Sequence, residues 1–198
     1  MIVPKTPNQV LYLKKLLTMT KPVIVVSGPA GSGKTMMACQ IAAEKIRQNQ
    51  FAKIIITRPA VSADEELGFL PGKLEAKMEP WIKPMYEIFE REKVHKNVEI
   101  VPLAYMRGRT FHKSFIIADE MQNSTANQMK MVLTRLGESS KMVVAGDVDQ
   151  SDLMVQNGLY DFMRRMEGRE LDYIDTMELT EDDIQRSAAV REIISVLY

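Results

Sequence analysis

Apolar positions along this chain fall into two alternating patterns. Short, near-continuous runs occur at Pro22 to Ser27, Lys53 to Thr57, Val98 to Leu103, Ser114 to Asp119, Lys141 to Asp147 and Tyr173 to Leu179. Their length and β-branched content read as buried strands rather than helices. Between them the apolar residues recur with a helical period. Asn8 to Thr18 carries Val10, Leu13, Leu16 and Leu17 on one face, and Met36 to Gln48 reads as a second helix. Glu79 to Glu92 lines up Ile82, Met85, Tyr86 and Phe89, and Thr125 to Leu136 lines up Met129, Val132, Leu133 and Leu136. Leu159, Phe162, Met163 and Met166 form a further stripe, and Glu181 to Leu197 predicts a last helix through Val190, Ile193, Ile194 and Leu197. Thr125 and Gln128 have the spacing of a capping box. Apolar strands alternating with amphipathic helices predict an α/β fold, a mostly parallel sheet with helices on both faces. Ligands of such sheets bind beyond the carboxyl ends of the strands.

Composition narrows the class without fixing the chemistry. The 198 residues predict a single domain over 1–198. With 45% hydrophobic and 26% charged residues, the chain reads as an ordinary soluble globular protein. Its formal net charge of zero removes any overall pull toward nucleic acid and leaves only a local basic patch as a means of binding it. Cys39 is the only cysteine, so no intrachain disulfide forms, and a reducing cytoplasmic setting is expected. No run approaches the roughly 20 apolar residues of a membrane span, and Met1 to Lys5 lacks the apolar core of a signal peptide. The 15 methionines read as adaptable core filler.

Gly28-Pro29-Ala30-Gly31-Ser32-Gly33-Lys34-Thr35 changes the picture. It fits G-x-x-x-x-G-K-[ST], the phosphate-binding loop of nucleoside triphosphatases, and it lies between a predicted strand and a predicted helix as that motif requires. The glycines let backbone N–H groups converge on a phosphate, and the following helix directs its positive end to the same place. Lys34 reaches the β- and γ-phosphates, and the Thr35 hydroxyl is a ligand for Mg²⁺. Residues 28–35 with Met36 make up the expected nucleotide-binding set, for ATP and Mg²⁺.

A second segment completes the chemistry. The apolar run from Ser114 ends in Asp119-Glu120, the form of a Walker B element. Asp119 is placed to hold the metal and Glu120 to polarise the attacking water. Solvated loop acids are the alternative for such a pair standing alone. The strand Val143-Val144-Ala145 runs into Gly146-Asp147-Val148-Asp149-Gln150. An amide just past a strand end can sense the γ-phosphate, which is the reading of Gln150; a Gly-Asp turn carrying a surface glutamine is the other. Asp147 is expected as a partner of the metal's waters.

Several blocks together resemble the PhoH family of ATPases. They are Thr57-Arg58-Pro59-Ala60-Val61, Leu67 to Gly72, Met106 to Phe111, Ala118 to Asn123 and Gln128 to Gly137, in the family's order and over nearly the whole chain. The resemblance implies a RecA-like P-loop NTPase fold similar to the first motor domain of superfamily-one helicases. It also implies ATP hydrolysis and a link to RNA metabolism. Two positions depart from the family pattern: Met121 stands where alanine is usual, and Asp149 stands where threonine is usual, adding negative charge beside Gln150. The resemblance further implies that the nucleic-acid-binding extension and the ribonuclease domain of other members are not among these residues.

Gln9 aligns with the family's start, where helicase-like proteins place an adenine-reading glutamine; an exposed glutamine at a helix start is the alternative. The family has an arginine at the position of Arg186, which implies a guanidinium for the γ-phosphate of a neighbouring subunit. That in turn implies a homo-oligomer, a ring hexamer whose head-to-tail contacts close. The segment Tyr105 to Lys113 mixes basic and aromatic residues, so Arg107 and Arg109 are nucleic-acid candidates, with Arg58 as another; core-facing aromatics are the alternative. Catalytic roles are expected for Lys34, Glu120, Gln150 and Arg186, and metal ligation for Thr35 and Asp119. Two functions stay open: an ATPase coupled to RNA or single-stranded nucleic acid, and an ATP-dependent switch acting on a protein partner. His95, His112 and Cys39 lack zinc-ligand spacing.

Overall fold

The computed structural model describes residues 3–59, 74–149, 157–185, 187, 189–190 and 196, with 74–80 described through their backbone alone. Six parallel strands form one sheet: β1 (Val23–Ser27), β2 (Lys53–Thr57), β3 (Val98–Ile100), β4 (Ser114–Ala118), β5 (Lys141–Gly146) and β6 (Ile174–Glu178). Their order across the sheet is β3-β2-β4-β5-β1-β6. Among the described residues, five α-helices of eight or more residues pack on it: α1 (Pro7–Leu17), α2 (Lys34–Arg47), α3 (Leu74–Arg91), α4 (Ala126–Leu133) and α5 (Gly158–Met166).

The unbroken apolar runs have a simple cause. Every residue of β1, β4 and β5 is buried, because the sheet is covered on both sides. Alternate side chains leave each strand in opposite directions. Ile24, Val26, Ile54, Ile56, Phe115, Ile117 and Val143 meet α1, α2 and α3. Val23, Val25, Ile55, Ile116, Met142 and Val144 meet α4 and α5. Each such side chain contributes roughly 1.5–3 kcal/mol by leaving water.

Local chemistry sets the helix ends. Thr6 caps α1 by accepting from the Gln9 N–H at 3.2 Å, and Pro7 starts the first turn. At the other end the buried Lys141 ammonium donates to the carbonyls of Lys15, Thr18 and Lys21. Burial, with Lys45 nearby, pushes the Lys141 pKa down to about 8, against the pull of Asp175. The Thr125–Gln128 capping box of α4 forms in both directions, as its spacing predicts.

The predicted last helix does not start at Glu181. Glu181–Asp183 is a single 3-10 turn, and Ile184 is already extended at φ −65° and ψ 117°. Thr180 and Asp183 form a capping box that opens the turn, with Asp183 also held by Thr6 and Asn8, but the Gln185 N–H donates to Gly31 O at 3.0 Å and not to the turn's own carbonyls, so the α-helix does not follow on directly. Helical residues described beyond it are 189, 190 and 196.

This topology positions the site. The chain leaves β1 for α2 on one face of the sheet and leaves β5 for α5 on the other, so a crevice opens where these adjacent strands end. One strand, β5, separates the strand feeding the glycine loop from β4 with its acid pair. This is the RecA-like arrangement the sequence predicts.

Candidate nucleotide site

The glycine-rich loop occupies that crevice. Gly31 and Gly33 sit at φ 85° and 96°, conformations that the loop's tight curl requires and that other residues resist. Gly28 is needed for closeness as well: a Cβ there would lie 2.3 Å from the Leu179 carbonyl oxygen. The loop is tied down on three sides. The Gly28 N–H donates to Gly146 O at 3.2 Å, the Gln185 N–H to Gly31 O at 3.0 Å, and Ser32 Oγ to Pro29 O at 2.8 Å. Ser32 is fully buried, whereas Ala30 is exposed and Met36, in the first turn of α2, is 48% exposed.

Lys34 Nζ lies inside the curl and donates to Gly28 O and, at 2.9 Å, to Pro29 O. Its acceptors are oxygens within the loop, the kind of partner a phosphate also offers. Burial lowers its pKa, opposed by the fields of Asp147, Glu120 and Asp119. One cation thus faces three acids drawn from the ends of β4 and β5.

Asp119 and Thr35 meet across 84 residues of sequence: Thr35 Oγ1 donates to Asp119 Oδ1 at 2.6 Å. Asp119 is 6% exposed, and burial raises its pKa despite the Thr35 hydrogen bond and the nearby Arg58 charge. A hydroxyl and a carboxylate oxygen side by side, next to a phosphate-type loop, make a donor set that fits Mg²⁺, which takes few protein oxygens and fills its shell with phosphate and water. Among the described residues no group of three or more His, Cys, Asp or Glu forms a metal cluster.

Glu120 follows in a left-handed conformation, φ 53° and ψ 36°, which turns its side chain out of the strand direction. Its Oε2 accepts from Gln122 Nε2 at 2.6 Å. Gln122, 4% exposed, in turn accepts the Asp147 N–H through Oε1 at 3.1 Å. Sequence reasoning missed Gln122, although an amide two residues after an acid pair is a visible signal. Asp147 is buried at the tip of β5, its carboxyl raised mainly by burial, and it accepts the Asp149 N–H at 3.2 Å. Asp149 itself is exposed, and Met121 is wholly buried in the core under α4 and α5.

The other expected residues divide. Gln9 is 4% exposed, and its amide bonds within the protein. Nε2 donates to Ser32 O at 3.0 Å and to Asp183 O at 3.1 Å, while Oε1 accepts the Lys5 N–H at 2.9 Å. Both amide protons are used, so no donor remains for an adenine edge; Gln9 is a clamp between α1, the loop and the turn after β6. Arg109 is also already engaged. It pairs with Glu99 at 2.5 Å and lies 4.7 Å from the centroid of the Phe111 ring, itself buried. Arg107 and Tyr105 are exposed. Arg58 stands at the carboxyl end of β2, 5.5 Å from the centroid of the Trp81 ring, with its Nε buried and without a partner. Gln150 and Arg186 lie outside the described residues, as do the family-like positions 60, 61 and 67–72.

Comparison with known proteins agrees with this geometry. The family model described as PhoH-like protein matches residues 1–198. A PhoH-like protein of Mycobacterium tuberculosis (strain H37Rv) is 44% identical over 202 residues, 96% of this chain and 56% of that protein. Protein PhoH of Escherichia coli K12 is 41% identical over 201 residues, 94% of this chain and 55% of that protein. Among solved structures, the Pif1 helicase from Candida albicans aligns with a TM-score of 0.49 at 17% identity, over 100% of this chain and 43% of that chain. The chain spans about half the length of the curated relatives it matches. It belongs to the PhoH-like family and is a P-loop NTPase. No helix among the described residues is long and apolar enough to cross a membrane.

Proposed function

We propose that this PhoH-like chain hydrolyses ATP to ADP and phosphate by attack of water on the γ-phosphate. The observation that carries the reading is the 2.6 Å contact of Thr35 with Asp119 beside the Lys34 ammonium, since it brings both halves of a phosphoryl-transfer site together. Lys34 neutralises charge on the β- and γ-phosphates, and the loop's N–H groups orient them. Thr35 and Asp119 would hold Mg²⁺, which would supply charge stabilisation for the transferring phosphoryl group. Glu120 accepts the proton of the attacking water. Gln150 senses the γ-phosphate, and Arg186 reaches the site of the next subunit in a homo-oligomeric ring, expected to be a hexamer.

Turnover is coupled to RNA or another single strand. Arg58 supports this, because it stands half-buried at the carboxyl edge of the sheet, near the acid pair and against the Trp81 ring. Arg107, exposed with Tyr105, offers a second contact. The commitment of Arg109 to Glu99 and Phe111 supports the other reading, a nucleotide switch for a protein partner.

Phosphate release measured with and without a single-stranded RNA homopolymer tests the proposal. Lys34→Ala should abolish turnover, and Glu120→Gln should bind ATP without hydrolysing it. Parental turnover in Glu120→Gln would refute the base assignment. RNA that leaves the parental rate unchanged would favour the protein-partner switch.

A further inference from the structure

Glu120 has a problem that its position creates. Its carboxylate and the Lys34 ammonium are both half-buried, and Glu120, like Asp147 and Asp119, is close enough to raise the pKa of that lysine. Opposite charges in such a place attract strongly. A direct Glu120–Lys34 ion pair would take the base away from water and the cation away from phosphate. No such pair is formed among the described residues: Lys34 Nζ rests on Gly28 O and Pro29 O, and Glu120 is held by Gln122.

The Gln122 amide has one orientation that fits its surroundings. The Asp147 backbone N–H can only donate, so the end facing it at 3.1 Å must be Oε1. Nε2 therefore faces Glu120 Oε2 at 2.6 Å as a donor. A neutral N–H donor can hold a carboxylate in place without neutralising it. The fit extends to Gly146, where a Cβ would lie 2.6 Å from Gln122 Oε1; the strand before Asp147 is bare so that the amide can reach it.

We propose that Gln122 is the positioning residue for Glu120, holding the carboxylate on the water side of the site, away from Lys34, by an amide anchored on the tip of β5. The inference rests on the reading of Glu120 as the base. It adds a consequence: any movement of the Asp147–Asp149 turn is felt at Glu120 through two hydrogen bonds, without passing through the nucleotide.

Two variants test it. Gln122→Glu keeps an acceptor for the Asp147 N–H but sets a second carboxylate against Glu120 in place of the donor; Gln122→Met removes both groups. Misplacing a catalytic group by about 1 Å costs on the order of 10²-fold. Both variants should lose 10- to 100-fold in kcat, with KM for ATP and the affinity for a fluorescent ATP analogue within about threefold of the parental chain. Gln122→Met should also stay folded, with a parental circular dichroism spectrum. Parental kcat in Gln122→Glu, or equal losses in kcat and nucleotide affinity, would overturn the proposal and leave Gln122 as a structural strut. Absence of ATP turnover in the parental chain would instead overturn the proposed function, and is seen before any variant is compared.

Discussion

Asp183→Ala removes the latch that holds the end of β6 against the phosphate loop. The buried carboxylate accepts from Thr6 Oγ1, from Asn8 Nδ2 at 3.0 Å, from the Thr180 N–H at 2.7 Å and from Thr180 Oγ1 at 3.3 Å. Burial pushes its pKa up, but these donors outweigh it, and the carboxyl is held below its ordinary value. A hydrogen bond to a charged acceptor is worth about 1.5–3 kcal/mol net, and bonds sharing one acceptor do not add fully. Three good donors and one long one therefore give a loss of about 4 kcal/mol. For a chain of this size that lowers Tm by roughly 8–16 °C. Function should follow, because the Asp183 carbonyl accepts from Gln9, whose amide also holds Ser32 in the loop, and the Gln185 N–H holds Gly31. Thermal and urea melts followed by circular dichroism read the stability, and titration of a fluorescent ATP analogue reads the loop, with about tenfold weaker binding expected. The sign with pH is fixed: a depressed carboxyl stabilises the fold above the unfolded pKa near 3.9, and that contribution fades as pH falls below it. Asp183→Ala should accordingly lose less stability than the parental chain between pH 5 and the acid range. A melt within 2 °C of parental, with unchanged nucleotide affinity, would refute the latch.

Two further perturbations test the scaffold. Lys141 is charged in folded and unfolded chains at pH 7, but the folded chain sheds its proton near pH 8 and the unfolded chain only near 10.4, so stability should rise across that window. The parental chain should gain about 2 kcal/mol more than Lys141→Met between pH 7 and pH 10 in urea melts; equal slopes would show that the Lys141 proton is not shifted. Gly28→Ala forces a Cβ to 2.3 Å from the backbone oxygen of Leu179, which cannot rotate away. A loss of about 3 kcal/mol or more is expected from such a backbone clash, and a parental melting temperature would show that the loop has room to move.

Legibility in the sequence tracks how local the information is. The strands were readable because burial on both faces makes each an unbroken apolar run, and β1, β2, β4 and β5 fall inside their predicted spans. The edge strand β6 also falls inside its predicted span, whereas β3 at the other edge shortens to three half-buried residues. The phosphate loop and the acid pair were readable because each packs its chemistry into consecutive residues. The approach of Thr35 to Asp119 followed from the topology that a parallel sheet imposes on two strand ends.

What escaped were contacts between polar side chains far apart in sequence. Nothing local distinguishes an adenine-reading glutamine from a structural one, and Gln9 is assigned by Lys5, Ser32 and Asp183, residues up to 174 positions away. The helix expected from Glu181 does not begin there for the same reason: the Gln185 N–H bonds Gly31, 154 positions away, although 189, 190 and 196 are helical. These missed contacts converge on the site. The amide of Gln9 holds the loop from one side, with the Asp183 carboxylate tying the turn after β6 to the first helix, and the amide of Gln122 bonds Glu120 on the other. A catalytic motif specifies which groups react. On the proposal above, the separation of Glu120 from Lys34 depends on the neutral amide of Gln122, since two opposite charges left unsupported would close on each other before any phosphate came between them.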